Sequence, residues 1–282
     1  MVLLKTHSLN KILQTQSYAM ARVIVGFPYS FQLAAKHLFW QNILSFYGNN
    51  AALKLSPYTI RTDRADALSL LSELLEESGR IILKSNFQRR TGLKLIYSQE
   101  ELRKTKLSEY VIGQKIIEGG QRIKARRFNL RLYVAVSAYE GMVNFYHYPT
   151  AKIVYADAQN GLITSNEHYH KSLPLTSNKA FQKAMDFDWY TSTIKALKKI
   201  LYAHKAHFLK QLRPNIGYYD HFGADILFDA DKTPLFLEFN RSPSLKWKYQ
   251  KDYWLKKEML DEYLDAVHEL REIQEPWVKL DV

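Results

Sequence analysis

Residues 218–245 read YYDHFGADILFDADKTPLFLEFNRSPSL, and this stretch decides how we interpret the rest of the chain. Two apolar runs, Gly223 to Phe228 and Leu235 to Asn240, flank the turn-rich segment DADKTP, a pattern that predicts a β-hairpin. If the register is symmetric about that turn, Asp225 lies opposite Glu238. We therefore expect two carboxylates to face each other across the hairpin.

The period of two in a strand also puts Asn240 on the same face as Glu238. Two facing carboxylates repel each other unless something positive lies between them. Carboxylate and amide oxygens without sulfur suit Mg²⁺, which usually shares itself with substrate phosphates. The alternative is a surface hairpin with solvated acids, but the apolar neighbours favour a buried sheet, where unpaired charge is costly.

The composition is that of an ordered globular protein, because 46% of the 282 residues are hydrophobic and 13% are aromatic. The absence of cysteine excludes disulfides, thiolate zinc sites and a cysteine nucleophile, and fits a reducing compartment. No apolar run approaches the length of a membrane span. We expect a soluble, cytoplasmic protein without membrane association.

Lys and Arg exceed Asp and Glu by 40 to 28, which gives a net charge of +12. Such an excess is matched by an anionic partner or by counterions. Nucleic acid, nucleotide, anionic lipid and acidic protein tails all carry the required charge. The charge alone does not choose among them.

The hydrophobic pattern predicts helices and strands in mixed order, with a flexible Glu118-Gly119-Gly120 break that suits a hinge between lobes. We predict an N-terminal region (1–60), a central lobe (61–117) and a C-terminal lobe with a terminal helix (118–282). The predicted helices cover residues 32–46, 64–77, 99–106, 181–212 and 252–273, and the predicted strands cover residues 80–84, 93–97, 110–117, 126–138, 143–148 and 150–155.

Basic and amide side chains at strand ends are candidates for phosphate and base binding. Lys84 ends an apolar strand and can reach a phosphate as a point charge, unless it is simply solvated. Gln114 and Lys115 at the hinge can offer backbone groups to an adenine edge, or belong to an ordinary buried strand. Arg127 and Arg131 share one strand face, and need either an anion or a structural salt bridge.

Five segments, in this order, resemble the tubulin–tyrosine ligase-like family of ATP-grasp enzymes: ILKSNFQRRTGLKLI, VIGQKII, RRFNLRLYVAV, ITSN and FGADILFDADKTPLFLEFNRSPSL. The resemblance covers roughly residues 80 to 245, and the last segment is the most specific. It implies an α+β ATP-grasp fold in which two lobes clamp ATP, with a short N-terminal region. It also implies that Asp225, Glu238 and Asn240 hold the Mg²⁺ bound to ATP.

The same resemblance implies roles for further residues. Arg131 contacts phosphate and the acceptor carboxylate, and with Glu238 and Asn240 it forms the implied catalytic set. The implied ATP-binding residues are Lys84 on the phosphates, Gln114, Lys115 and Ile117 at the adenine, and Arg127, Asn129, His147 and Thr164. Asn129 stands where the family has Asp, and His147 falls near a family arginine; a histidine is mostly uncharged at neutral pH.

The implied reaction is the activation of a carboxylate by ATP to an acyl phosphate, followed by attack of an amine to give an amide. The implied partners are a free amino acid and an acidic protein substrate, with tubulin as one candidate, rather than nucleic acid. Two alternatives stay open. One is a catalytically weak nucleotide- or nucleic-acid-binding protein, and the other is an ATP-grasp ligase with a small-molecule acceptor.

Overall fold

The computed structural model describes residues 22–86, 92–118, 120–123, 126–155, 170–174, 188–210, 212–241, 243 and 250–282. Within these ranges the chain forms one sheet of nine strands and one of four strands. Helices cover both faces of the larger sheet, because each face packs into its own hydrophobic cluster. This mixed α/β architecture is compatible with the predicted α+β class.

The large sheet contains β1 (Val23–Val25), β6 (Arg122–Ile123), β7 (Arg126–Tyr139), β8 (Met142–His147), β9 (Thr150–Tyr155), β10 (His170–Pro174), β11 (Gly217–Phe228), β12 (Pro234–Asn240) and β13 (Val278–Leu280). The small sheet contains β2 (Thr59–Arg61), β3 (Ile81–Lys84), β4 (Leu93–Ile96) and β5 (Ile112–Lys115). The helices are α1 (Phe31–Ala34), α2 (Lys36–Tyr47), α3 (Asn49–Ala52), α4 (Ala67–Ser78), α5 (Gln99–Lys104), α6 (Asp188–Leu209) and α7 (Gln250–Glu269).

Strand β7 runs through the middle of the large sheet and alternates as its sequence predicts. Its even-numbered apolar residues, Phe128 to Val136, pack in the core with α2 and α6. The opposite face carries Arg127 and Arg131, as the sequence indicates, but it is not basic beyond Arg131. Tyr133 and Ala135 are buried there in a second core with α7, because α7 covers this part of the sheet. The basic part of the face is thus short.

The predicted hairpin is formed by β11 and β12, and Asp225 lies opposite Glu238. The register shifts at this point, because the next residue, Ile226, pairs with Phe236. The shift is a β-bulge that lets Phe236 and Phe239, three positions apart, both enter the core, with ring centroids 5.7 Å apart. Strict alternation would put Glu238 on the same face as Phe236. The bulge brings Glu238 to the face of Asp225.

The small sheet has the order β2-β5-β3-β4, and α4 packs on it through a third hydrophobic cluster. The predicted strands at 80–84 and 93–97 form β3 and β4, which pair with each other, with Ile81 opposite Ile96. Helix α4 ends at Gly79, whose φ of +69° is left-handed and favours glycine. The small sheet therefore stands as one wall with Lys84 at the end of β3.

The described N-terminal elements pack on the large sheet. Strand β1 runs parallel to β11, with Val23 opposite Gly217, and α2 contributes Phe39 and Ile43 to the core. The predicted single helix over 32–46 is two helices, because Ala35 between α1 and α2 is extended. The division into three regions stays a prediction.

Among the described residues, no helix has the length and apolar character that crossing a membrane requires.

Candidate functional site

A cavity of about 180 Å³ lies between the two sheets. The small sheet and the segment after β5 form one wall, and β7, β11 and β12 form the other. The lining residues are Ile82, Lys84, Leu93, Gln114, Lys115, Ile116, Ile117, Gly120, Gln121, Arg127, Phe128, Asn129, Asp225, Leu227, Phe228, Leu237 and Glu238. Most of the predicted site residues therefore meet at one place.

The acidic end of this cavity is formed by the hairpin. Asp225 is 6% exposed and faces Glu238 across the ladder. The side-chain amide of Asn240 lies between them, with its Nδ2 3.2 Å from Asp225 Oδ2 and 3.3 Å from Glu238 Oε1. The three oxygen-bearing side chains converge as the strand register predicts.

Arg131 neutralises Asp225 directly. Strand β7 pairs with β11 so that the two residues are opposite each other. The guanidinium Nε donates to Asp225 Oδ1 at 2.5 Å and Nη2 donates to Oδ2 at 2.6 Å. The two donors make a bidentate pair, which is the strongest geometry for arginine and carboxylate. Of the two alternatives for Arg131, the structure shows the salt bridge.

Glu238 has a separate cation, Lys36, whose Nζ lies 3.2 Å from Glu238 Oε2. Burial acts to raise the pKa of Glu238, but the charges of Lys36, Lys84 and Arg131 together lower it. Burial raises the pKa of Asp225, and the negative charge of Glu238 adds to this, while Arg131 opposes it. The pKa of Glu238 is therefore lowered and that of Asp225 is raised, and each acid is paired with a cation from a different element.

Lys84 stands on the opposite wall and is held by neutral groups. Its Nζ donates to Gln114 Oε1 at 2.6 Å, and Gln114 Nε2 donates to Thr59 Oγ1 at 2.8 Å. Lys84 is 8% exposed and Gln114 is 3% exposed. Burial lowers the pKa of Lys84, while Glu238 raises it. The ammonium group of Lys84 is thus held in a fixed orientation and partly removed from water, and a bound anion would balance its charge.

The other end of the cavity is lined by the predicted adenine segment. Lys115 and Ile117 line it, although the Lys115 ammonium is 2.6 Å from Glu77 Oε1 on α4. Arg127 and Asn129 face them from β7. The Oδ1 of Asn129 is buried and has no hydrogen-bond partner among the described residues. This acceptor oxygen is available to a ligand.

The structure does not bring His147 to the cavity. The side chain is fully buried, with Nε2 3.0 Å from the hydroxyl of Tyr190 on α6. Burial lowers the pKa of His147 to about 4, so the imidazole is neutral at pH 7. It is a core residue, because it pairs with Val134, which faces the core. Thr164, the other ATP contact implied by the resemblance, lies outside the described residues.

The donor set at the acidic end fits Mg²⁺. Two carboxylates and one amide supply hard oxygen ligands, too few for a full protein cage and suited to an ion that also binds phosphate oxygens. Among the described residues, no three or more His, Cys, Asp or Glu side chains are grouped so that they could hold a metal ion by themselves. Asp225, Glu238 and Asn240 are the residues that would hold the ion.

Sequence reasoning missed two contributors. Lys36 begins helix α2, in a region where the pattern indicated no chemistry, and only the packing of α2 on the large sheet brings it to Glu238. Thr59 fixes Gln114 across the β2–β5 pair. Neither residue belongs to a recognisable motif, so no local signal distinguishes them.

Comparison of the whole sequence with known proteins finds relatives whose names match the family that the motifs resemble. "Tubulin polyglutamylase ttll-4" of Caenorhabditis briggsae is 24% identical over 257 residues, which cover 78% of this chain and 41% of that protein. "Probable tubulin polyglutamylase TTLL9" is 28% identical over 183 residues in both Mus musculus and Rattus norvegicus, which covers 56% of this chain and 39% of each relative. The chain spans about two fifths of the length of these curated relatives.

The sequence model described as the tubulin-tyrosine ligase family matches residues 164–274. This segment includes β11, β12 and all of α7. It therefore contains Asp225, Glu238 and Asn240, on which the site depends. The match confirms that this chain resembles the tubulin–tyrosine ligase family.

Proposed function

We propose that this chain is an ATP-dependent carboxylate–amine ligase with an ATP-grasp fold. It adds an amino acid to a carboxylate of an acidic protein. The observation that carries the proposal is the cavity lined by Asp225 and Glu238 on one wall and Lys84 on the other, with Asn240 hydrogen-bonded to both acids. The match of residues 164–274 to the ligase family supports it.

The reaction proceeds in two transfers. The γ-phosphoryl group of ATP moves to an oxygen of the acceptor carboxylate, which gives an acyl phosphate and ADP. The amine of the amino acid then attacks the acyl carbon and loses a proton, and inorganic phosphate leaves as the amide forms. Both transfers spread negative charge over phosphate oxygens, so the site must supply positive charge in a closed cleft.

The described residues can supply that charge from both walls. Lys84 is aimed by Gln114 and approaches phosphate as a point charge. Arg131 can exchange Asp225 for phosphate or for the acceptor carboxylate, because its planar fork fits either group. Mg²⁺ held by Asp225, Glu238 and Asn240 would neutralise charge on the phosphates. The cavity wall formed by Lys115, Ile116, Ile117, Gly120 and Gln121 would hold the base.

Glutamate and tubulin are the first candidates for amino acid and acceptor. The curated relatives are named tubulin polyglutamylases. An acidic tail would also be attracted to a chain of net charge +12. Both arguments concern how the acceptor protein is recruited. Which amino acid is added depends on the side chains that line the cleft.

The test is ATP-dependent incorporation of labelled glutamate, glycine or tyrosine into tubulin and other acidic acceptors. We expect one amino acid to be incorporated by the wild type and not by Asn240→Ala. Equal labelling by the two proteins would reject the proposal. Labelling of free amino acids alone would assign a small-molecule acceptor, and RNA or DNA binding with a steep salt dependence and no ATP binding would favour the nucleic-acid alternative.

A further inference from the structure

All four carboxylate oxygens at the acidic end of the cavity already have a donor from the protein. Arg131 occupies both oxygens of Asp225. Glu238 accepts from Asn240 at Oε1 and pairs with Lys36 at Oε2. Asn240 therefore presents its amide nitrogen to the acids rather than its oxygen. A metal ion that binds these oxygens would compete with Arg131 and Lys36 for the same negative charge.

Gly223 makes the Arg131 contact possible. It lies on β11 two residues before Asp225, on the same face, and the stem of Arg131 crosses directly over it. A Cβ at this position would lie 2.8 Å from Arg131 Cδ and 3.1 Å from Pro243 Cβ. A methyl group would thus push the arginine off the strand, since Pro243 closes the other side.

We propose that Arg131, positioned by Gly223, is an internal counterion of the acidic pair, so that divalent metal and nucleotide bind to this site only together. The inference rests on the proposed function, because it takes the ligand to be a metal–nucleotide complex. Gly223 is a positioning residue that acts through Arg131.

The coupling follows from what each ligand leaves behind. A metal ion alone would bind the oxygens of Asp225 and Glu238. Arg131 and Lys36, whose side chains are only 19% and 15% exposed, would then lose their negative partners and lie beside the positive metal ion. A nucleotide alone would draw the two cations away and leave the buried acids unpaired. Together, the phosphates take the cations and the metal takes the acids. We expect each ligand to raise the affinity of the other by roughly 10- to 100-fold.

The experiment measures binding and does not depend on turnover. Mn²⁺, which is visible by electron paramagnetic resonance, is titrated into the full chain with and without a non-hydrolysable ATP analogue, with correction for Mn²⁺ held by the free analogue. The ATP analogue is also titrated into the protein in the presence of a metal chelator, which measures its binding without metal. For the wild type we expect weak binding of either ligand alone and tight binding of both together.

Arg131→Gln gives the decisive result. Once the counterion is removed, Mn²⁺ alone should bind about tenfold more tightly than to the wild type, and the coupling should shrink by the same factor. Adding Asp225→Asn should abolish this gain. Arg64→Gln, which removes the arginine of an exposed pair with Asp66, is the matched control and should behave as the wild type.

Gly223→Ala should change Mn²⁺ binding in the same direction as Arg131→Gln, although residue 223 touches neither ligand. Circular dichroism checks that each variant is folded, and if Gly223→Ala does not fold, Arg131→Gln alone decides. The inference is overturned if Arg131→Gln binds Mn²⁺ as the wild type does, or if the wild type binds Mn²⁺ equally well without the analogue. Failure of the analogue to bind even with Mn²⁺ would overturn the proposed function as well.

Discussion

Lys84 and Arg131 are cations on the two sheets that enclose the cavity, and they differ in what holds them. Lys84 on β3 donates to a neutral amide, Gln114, and burial lowers its pKa. Arg131 on β7 is held by a carboxyl group, that of Asp225; burial opposes the charge of Arg131, but Asp225 raises its pKa. The small-sheet wall thus holds a cation that lacks an anion, while the large-sheet wall holds one already neutralised. Lys84 therefore needs an anionic ligand to balance its charge, whereas Arg131 can bind an anionic ligand only in place of Asp225.

The largest effect is expected from Glu238→Gln, which removes charge from the large-sheet wall without changing its shape. A metal ligand loses its charge, and Lys36 loses its ion-pair partner. We expect ATP turnover to fall by roughly 100- to 1000-fold, as when one transition-state contact is lost, with the fold intact. Turnover with an acidic acceptor measures it. The exposed Glu109→Gln is the control, and unchanged turnover in Glu238→Gln would place the site elsewhere.

Arg131→Met tests whether the arginine is truly neutralised. It leaves Asp225 buried without its bidentate partner. We expect the free energy of unfolding to fall by about 3 kcal/mol, the cost of breaking a buried pair. Urea denaturation measures this, and Arg64→Met at an exposed pair should cost less than about 1 kcal/mol. If Asp225→Asn added to Arg131→Met restored no stability, the loss would not come from the unpaired acid.

His147 is the case in which burial alone decides the charge. Its pKa is lowered from 6.5 to about 4 in the folded protein. The unfolded chain then binds more protons between these values, so stability is full above pH 6.5 and is lost as the pH falls towards 4. Between pH 7 and pH 5, His147 should account for a loss of about 2 kcal/mol.

Urea denaturation of the wild type and of His147→Gln at both pH values isolates this contribution. The variant should lose correspondingly less stability on acidification. An identical pH dependence in the two proteins would mean that the imidazole can be protonated within the fold.

Lys84→Met should give the smallest effect and the sharpest contrast with Arg131. Lys84 donates to the amide oxygen of Gln114, and no salt bridge between described residues includes it, so its loss should change the free energy of unfolding by less than about 1 kcal/mol. The affinity for an ATP analogue should fall about tenfold, since one phosphate contact is lost. Calorimetry measures the affinity, with the exposed Lys104→Met as control. A destabilised Lys84→Met with normal affinity would reverse the comparison of the two walls.

Much of the site is local and was therefore predictable. The alternation of β7, the turn of the β11–β12 hairpin and the end of β3 are encoded within a few residues of each other, so Arg131, Asp225 and Lys84 could be placed from their neighbours. Lys36 could not, because its contact with Glu238 joins a helix near the start of the described chain to a strand near its end. His147 was misplaced by analogy, since only the packing of α6 shows which face of β8 is core.

The sequence by itself determined the hairpin, the two acids on its strands and the residues able to meet a nucleotide, because periodicity and turn chemistry act over short distances. Only the tertiary structure decided how those acids are neutralised. The bulge at Leu237 turns Glu238 towards Asp225, and Gly223 leaves room for Arg131 to pair with it. Charge balance in a buried cleft depends on which distant cations reach it, and that is settled by the packing of whole elements.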